Sequence, residues 1–399
     1  MRILIVIGHF YCPSLPIGGG ERQVLKLAKR LIERGATVRI ITGQWDWGQP
    51  RREKIDGIPV HRNFTMWGMF NIKGLRKFGK YSYLLSLFLY LLRHRNEYDL
   101  IHSQSARTGA AMAVQAGKVL QKKTLIRAMS SGAWGDVTAL RNERSVLGSG
   151  WMLNKLREAD CAIALNKQVI RELGEIGISP GRIVCLPNGV ETDLVRPKTD
   201  YTLESTVTVT FVGRLHPKKG VDTLLLAWQR VQKALPQLTW RLRLVGSGGI
   251  KGEMEAMARQ LSVDQTVEFL GQVDDPFPLL RQSDVFVLPS RSEGMSNALL
   301  EAMAHGLPCI VTDIAGNNEV IEHEQNGLLV RLDDEEDLAG AITRLTMDQA
   351  LRERLGRRAL GTVEENYSID SVTDRYMALY AGLLRGELPW KSVKIGVED

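Results

Sequence analysis

The chain has 399 residues, too many for one small core, so two domains of about 200 residues are expected. Hydrophobic residues make up 44% and charged residues 24%, an ordinary globular composition. The net charge of +7 suits a phosphate ligand or an anionic membrane surface, and the lack of any basic run interleaved with stacking aromatics argues against nucleic acid.

Residues 3–7 of MRILIVIGHF form a predicted strand, not a secretory signal. A helical pattern over 21–34 follows, then a strand at 37–42. The longest apolar stretch, 81–92, falls well short of the roughly twenty residues a bilayer span requires. Strands at 100–103, 124–128, 162–165 and 183–186 complete the first half. Strands alternating with helices argue an α/β architecture, with parallel sheets, helices on both faces and right-handed crossovers. Cys12, Cys161, Cys185 and Cys309 form no CxxC pair, and three lie in or beside strand-like runs, so buried thiols in a reducing cytosol are expected.

The segment PNGVETDLVRPKTDYTLEST, residues 187–206, has no periodicity and reads as a linker. The alternation then restarts, with strands at 207–212, 240–245, 267–270, 285–288, 309–312 and 328–330, and helices at 220–234 and 251–261. Two successive Rossmann-like halves fit this spacing. A last helix, about 370–384, carries apolar spacing at Val372, Tyr376, Leu379 and Leu383.

Two strings carry the most chemistry. GRLHPKKG, residues 213–220, follows a predicted strand and supplies Gly213, Arg214 and Lys219. A guanidinium grips two phosphate oxygens and an ammonium adds a mobile point charge, which suits a departing diphosphate; taken alone, they read as solvated surface cations. Gly220 can start the next helix, whose N-terminus favours an anion. SEGMSNALLEAMAHGLP, residues 292–308, starts a helix near Ser296 or Asn297, with Glu293 before it and Glu301 about one turn inside. Carboxylates accept the hydrogen bonds that sugar hydroxyls donate, although acidic residues also simply favour a helix start. Ligands of open parallel sheets gather at the carboxyl ends of strands, where all these loops lie.

Gly18, Gly19 and Gly20 follow the first strand and lead into the helix at Glu21, either as a close-approach loop or as a flexible turn. VGSGG, residues 245–249, fails as a dinucleotide fingerprint because Lys251 stands where the third glycine belongs.

On these strings the chain resembles the retaining glycosyltransferases of the GT-B fold, specifically glycosyltransferase family 4. The resemblance covers nearly the whole chain and is most specific over 207–330. It implies two Rossmann-like domains facing a central cleft: an acceptor domain at 1–190, a linker at 191–206, and a nucleotide-sugar domain at 207–368. Residues 369–399 then supply a C-terminal helix returning to the first domain, and a tail. It implies that Arg214 and Lys219 take the diphosphate charge, Glu301 accepts from the ribose and Glu293 contacts the donor sugar. Gly294, Met295, Ser296 and Asn297 bring backbone N–H groups to the sugar or phosphate. Gly19, Gly20, Gly213 and Gly246 border the donor, with Gly246 beside the base, and Gly18 lies toward the acceptor. Ala315, Gly316, Asn317, Asn318 and Glu319 resemble the family's loop near the donor sugar, with Asn317 as the contact. Asn188 and Gly189 match its hinge.

One departure concerns a His that many family members place after the strand corresponding to 124–128. This chain reads RAMSSGAWGD at 127–136, with Ser130, Ser131 and Asp136 as the acceptor-side candidates and Asp136 as the candidate base. His102, ending the preceding strand, reads as structural.

By the same resemblance, the enzyme transfers a sugar from a UDP- or GDP-linked donor to a saccharide or lipid-linked acceptor in cell-surface polysaccharide or glycolipid synthesis. It keeps the anomeric configuration by front-face attack and requires no metal. A GT-B sugar-nucleotide epimerase, acting without acceptor, and a non-catalytic nucleotide-sugar scaffold are the rival readings. The cytoplasm is the expected location, on the inner face of the membrane if a basic, apolar stretch docks there: Trp67, Met69 and Phe70, then Lys73, Arg76, Lys77 and Lys80, then 81–92 and Arg93, His94 and Arg95. The same stretch also fits a core helix with solvated cations at its ends.

Overall fold

The computed structural model describes residues 1–12, 17–46, 48–66, 76–132, 135–142 and 148–387, without the side chains of 76 and 77. The chain divides into two compact units, Met1–Gly189 joined by the last helix from Ile369, and Val190–Ser368.

The first unit runs β1 (Arg2–Val6), α1 (Gly19–Glu33), β2 (Thr37–Gly43), β3 (Arg52–Ile55), β4 (Ile58–Asn63), α2 (Arg76–Arg93), β5 (Leu100–Ser103) and α3 (Thr108–Leu120). It continues with β6 (Lys123–Arg127), α4 (Asp136–Arg141), α5 (Ser149–Leu156), β7 (Cys161–Ala164), α6 (Lys167–Glu175) and β8 (Ile183–Cys185). Its strands lie in the order β3-β4-β2-β1-β5-β6-β7-β8. All described pairs are parallel except the β3–β4 hairpin, which the sequence reading did not anticipate. That hairpin turns on Asp56 and Gly57, both at positive φ (49° and 81°). Such a two-residue turn matches the twist of its strands.

β1 shows why the sheet is covered on both faces. Successive side chains alternate sides: Leu4 and Val6 enter a core with α2 and α3, whereas Ile3 and Ile5 enter one with α1. Each fully buried aliphatic side chain contributes about 1.5–3 kcal/mol. The apolar stretch 81–92 is accordingly part of α2, with Tyr83, Leu84, Leu87 and Leu91 buried.

The second unit contains β9 (Thr206–Val212), α7 (Val221–Ala234), β10 (Thr239–Val245), α8 (Lys251–Gln260), β11 (Val267–Gly271), α9 (Phe277–Arg281) and β12 (Val285–Leu288). α10 (Asn297–Ala304), β13 (Cys309–Thr312), β14 (Leu328–Val330), α11 (Glu335–Met347) and α12 (Gln349–Asn366) complete it. The sheet, ordered β11-β10-β9-β12-β13-β14, is parallel throughout its described pairs. Trp228 of α7 packs edge-on to Trp240 at 5.5 Å beneath it. The segment 191–206 is docked on this unit: the Lys198 ammonium bonds Asp284 at 2.9 Å and the Tyr201 hydroxyl donates to the Gly306 carbonyl at 2.8 Å.

α13 (Ile369–Leu384) closes the first unit, burying Val372, Tyr376, Leu379, Tyr380 and Leu383 in the core that contains Ile3 and Ile5. Arg34, just past α1, pairs with Asp370 and Asp374 of α13. Such half-exposed pairs are worth only about 0–1 kcal/mol, so apolar burial holds this helix.

Candidate active site

Each sheet reverses its strand order at one point, between β9 and β12 in the second unit and between β1 and β5 in the first. Loops leaving the carboxyl ends of the strands diverge there and leave a crevice, where ligands of such sheets bind. GRLHPKKG follows β9, and the loop carrying Glu293 follows β12.

After β9 the chain makes a single 3₁₀ turn, Pro217–Lys219, before α7. His216 Nδ1 accepts the Lys218 N–H at 3.2 Å. Partial burial and the neighbouring cations Lys218, Arg214 and Lys219 hold His216 below its ordinary value, so it is neutral near pH 7. Gly220 sits at φ 64°, and a Cβ there would lie 2.0 Å from the Pro289 carbonyl oxygen. Only glycine permits that approach, which brings the two loops together. The Lys219 ammonium then ion-pairs with Glu293 Oε1, which also accepts from Ser290 Oγ at 2.7 Å. Glu293 is 7% exposed, and a carboxylate so buried needs such partners. Arg214 is exposed.

The Ser296 hydroxyl accepts the Leu299 N–H at 3.3 Å and caps α10. Asn297 is the first helical residue, and Glu301, one turn in, is buried. The loop after β13 stacks on the Glu293 loop: Gly316 has φ 88°, and a Cβ there would sit 2.6 Å from the Gly294 carbonyl oxygen. Asn317 behind it is fully buried; its Nδ2 donates to the Thr312 carbonyl at 3.0 Å, and its Oδ1 has no partner. A buried acceptor left unmade costs about 1–3 kcal/mol, which a ligand hydroxyl would recover only if the Gly316 turn moved aside. Met295 is half-buried.

Gly213 and Gly246 meet as backbone. Gly246 has φ 139° and donates its N–H to Gly271 at 2.7 Å, and a Cβ on it would fall 1.9 Å from the Gly213 carbonyl oxygen. The loop after β10 therefore lies flat against the loop after β9, which Leu215 extends by donating its N–H to Ser247 at 2.9 Å.

In the first unit Gly18 caps α1, while Gly19 and Gly20 are its first residues rather than a loop leading to Glu21. Glu21 turns back instead, accepting the N–H groups of Gly18 (2.6 Å) and Tyr11 (2.7 Å). A Cβ at Gly20 would lie 3.0 Å from Met129 Cε, so the glycine turn abuts the loop after β6. In that loop Asp136 is 3% exposed and both its oxygens are engaged, by Arg107 Nε (2.9 Å) and by the Met129 N–H (2.9 Å). Its own N–H donates to the Ser130 carbonyl at 3.2 Å, and Ser131 is buried. His102 is enclosed beneath α13, its Nδ1 2.7 Å from the Tyr380 hydroxyl. Burial first, then the nearby Arg127 charge, push it down to about 3. Asn188 accepts from Arg127 at 2.5 Å, and Gln23 pairs with both backbone groups of Gly189.

Sequence reasoning missed Glu21, Arg107, His216 and Arg291. Glu21, three residues past Gly18, carried a capping signal; the contacts of Arg107 and Arg291 are long-range and left none. Trp67, Met69, Phe70 and Lys73 lie outside the described residues, as do the side chains of Arg76 and Lys77. Among the described residues no helix is long and apolar enough to cross a membrane.

Residues 17–194 match the family described as Glycosyltransferase Family 4, and residues 206–348 match Glycosyl transferases group 1. An N-acetyl-alpha-D-glucosaminyl L-malate synthase of Bacillus anthracis is 26% identical, covering 96% of this chain and 98% of that protein. A UDP-Gal:alpha-D-GlcNAc-diphosphoundecaprenol alpha-1,3-galactosyltransferase of Escherichia coli is 27% identical over 74% of this chain and 78% of its own length. HepE of Anabaena, solved in complex with UDP, shares the fold with a TM-score of 0.74 at 19% identity, covering 96% of this chain and 100% of that one. With two parallel α/β units, crevice loops at both switch points and family matches in both halves, the chain belongs to the family 4 glycosyltransferases of the GT-B fold.

Proposed function

We propose that the protein is a retaining transferase that moves a sugar from a nucleoside-diphosphate donor, UDP- or GDP-linked, to a saccharide or lipid-linked saccharide in cell-surface polysaccharide or glycolipid synthesis. The observation that carries the reading is the Lys219–Glu293 pair at the switch point of the second sheet, with exposed Arg214 five residues before Lys219 and the orphaned acceptor of Asn317 on the adjoining loop. UDP in the HepE structure and the named activity of the E. coli relative support it.

In this reading the diphosphate draws Lys219 and Arg214 to itself, freeing Glu293 to accept from the donor sugar. Glu301 accepts from the ribose, and Asn317 Oδ1 takes a sugar hydroxyl. The N–H groups of Gly294 to Asn297 face the anion at the start of α10. Gly19, Gly20, Gly213 and Gly246 let backbone approach the donor. The acceptor hydroxyl attacks the anomeric carbon on the face the diphosphate leaves. The C–O bond to phosphate breaks as the new one forms, and the departing phosphate oxygen takes the hydroxyl proton. Arg214 and Lys219 stabilise the charge that develops, so the step needs no metal and survives a chelator. Gly18, Ser130 and Ser131 bind the acceptor. Asp136 holds their loop, because both of its oxygens are already engaged.

The reading extends to a cytoplasmic enzyme attached peripherally to anionic lipid. α2 presents Phe78, Tyr81, Leu85 and Leu89 to solvent along one face, and no acidic residue occurs between Asp56 and Glu97.

A thermal-shift panel of UDP, GDP, ADP and dTDP and their sugars, run beside Arg214→Ala, tests the donor site, since a ligand selective for the folded state raises its melting temperature. One nucleotide series stabilising wild type but not the variant supports the reading. No shift with any of them would overturn the donor site and the reading built on it.

A further inference from the structure

Arg291 belongs to none of the donor contacts above, yet its side chain and main chain together hold three separate segments of the second unit. Its two terminal nitrogens clasp Asp222, at the start of α7, at 3.0 and 2.7 Å. Nε donates to Asp333, beyond β14, at 2.7 Å. Nη1 also donates to the Pro217 carbonyl at 2.5 Å, and the Arg291 backbone N–H donates to the Lys218 carbonyl at 2.7 Å. Side chain and main chain of one residue thus grip two consecutive carbonyls of the 3₁₀ turn that ends in Lys219. The same residue lies two positions before Glu293.

We infer that Arg291 is a positioning residue that sets the register of the Lys219 turn against the Glu293 loop, so that the donor diphosphate meets its ammonium in place. The inference rests on the donor reading above. A single 3₁₀ turn is a weak element, closed here by the Lys219 N–H to His216 (2.8 Å), the Gly220 N–H to Pro217 (3.3 Å) and the His216 cap. Without the Arg291 side chain it keeps the Arg291 N–H bond, the Lys219–Glu293 pair and the Gly220–Pro289 contact, but loses the ties from Pro217 to Asp222 and Asp333 that fix its direction. The partners of Arg291 are half-exposed, Asp222 at 40% and Asp333 at 47% of the side chain, so the ion pairs add little to global stability. What the planar fork supplies is direction, which lysine does not reproduce.

The test separates the turn from the nucleotide. Arg291→Lys keeps the charge and loses the fork. By hydrogen–deuterium exchange on the ligand-free protein, amides of residues 216–221 should exchange about tenfold faster in this variant, with β9, β10 and β12 unchanged. UDP, with GDP and ADP beside it, is the calorimetric probe: Arg291→Lys should weaken binding about tenfold, but by less than about twofold in a Lys219→Met background, because both act through the same ammonium. Unchanged exchange overturns the inference, and so do effects that multiply in the double variant. A wild type that binds none of the three nucleotides overturns the donor reading, and the exchange result then still decides whether Arg291 sets the turn.

Discussion

Lys219 and Glu293 form an ion pair across 74 residues of sequence because their loops leave adjacent strands, β9 and β12, on either side of the point where the strand order reverses. Both side chains are largely buried, at 13% and 8% exposure. Lys219→Met should therefore act twice. It should lower turnover about 100-fold by removing a donor to the leaving group. It should also destabilise the fold by about 3 kcal/mol, because Glu293 stays buried without its cation. Adding Glu293→Gln should restore most of the stability and none of the activity, measured by urea unfolding and product formation. A double variant as unstable as the single one would show that the pair is not what holds Glu293.

Gly246→Ala should cost about 3 kcal/mol or more and abolish nucleotide binding, since the new Cβ meets a backbone carbonyl that cannot move away. Gly249→Ala, three residues on with open space around it, should leave both unchanged. Paired melting curves check this.

His102 makes stability depend on pH. Its folded value, about 3, lies below the ordinary 6.5, so as pH falls the unfolded chain takes the proton first. Its contribution is complete above pH 6.5 and is lost progressively as pH falls toward 3. Between pH 7 and 5 the loss is about 2 kcal/mol. Half-buried His61, pushed down to about 4 chiefly by burial and then by Arg52, acts in the same direction. His102→Gln should flatten this part of the unfolding profile. An unchanged slope would mean that His102 takes up its proton equally in the folded and unfolded chain.

Asp136→Asn should keep an acceptor for the Met129 N–H while losing the Arg107 ion pair. A loss of activity no greater than about tenfold, with the shape of the pH–rate profile preserved, is expected of a loop-holding residue. A fall of about 1,000-fold with loss of the acidic limb would instead identify the base.

Leu85→Glu combined with Leu89→Glu should abolish pelleting with vesicles rich in phosphatidylglycerol at low salt and leave the melting temperature nearly unchanged, since both side chains are more than half exposed. Wild type that never pellets removes the membrane assignment.

The strand–helix alternation and the two strings around Arg214 and Glu293 were legible because their signals are local. The spacing of Val372, Tyr376, Leu379 and Leu383 likewise marked the buried face of α13. The β3–β4 hairpin went unread although Asp56-Gly57 is a strong turn signal, because its strands are short and polar and lack an apolar run. Arg291 was illegible for another reason: its partners lie at Pro217, Asp222 and Asp333, and only the closed sheet brings them together. Asp136 looked like a base by type, and its engagement by Arg107 depends on two loops from different strands.

The enclosure of Ile3, Ile5 and Leu125 by α13 sets an order of events during synthesis. The second unit is continuous in sequence, and all of it is synthesised before α13. Domains fold as units as they emerge, so the half that begins first finishes last, leaving the part of one sheet face that α1 does not cover open until α13 arrives. A chain ending just before Ile369 and held on the ribosome by a linker long enough to clear the exit tunnel should therefore show a protease-resistant second unit and a more sensitive first one.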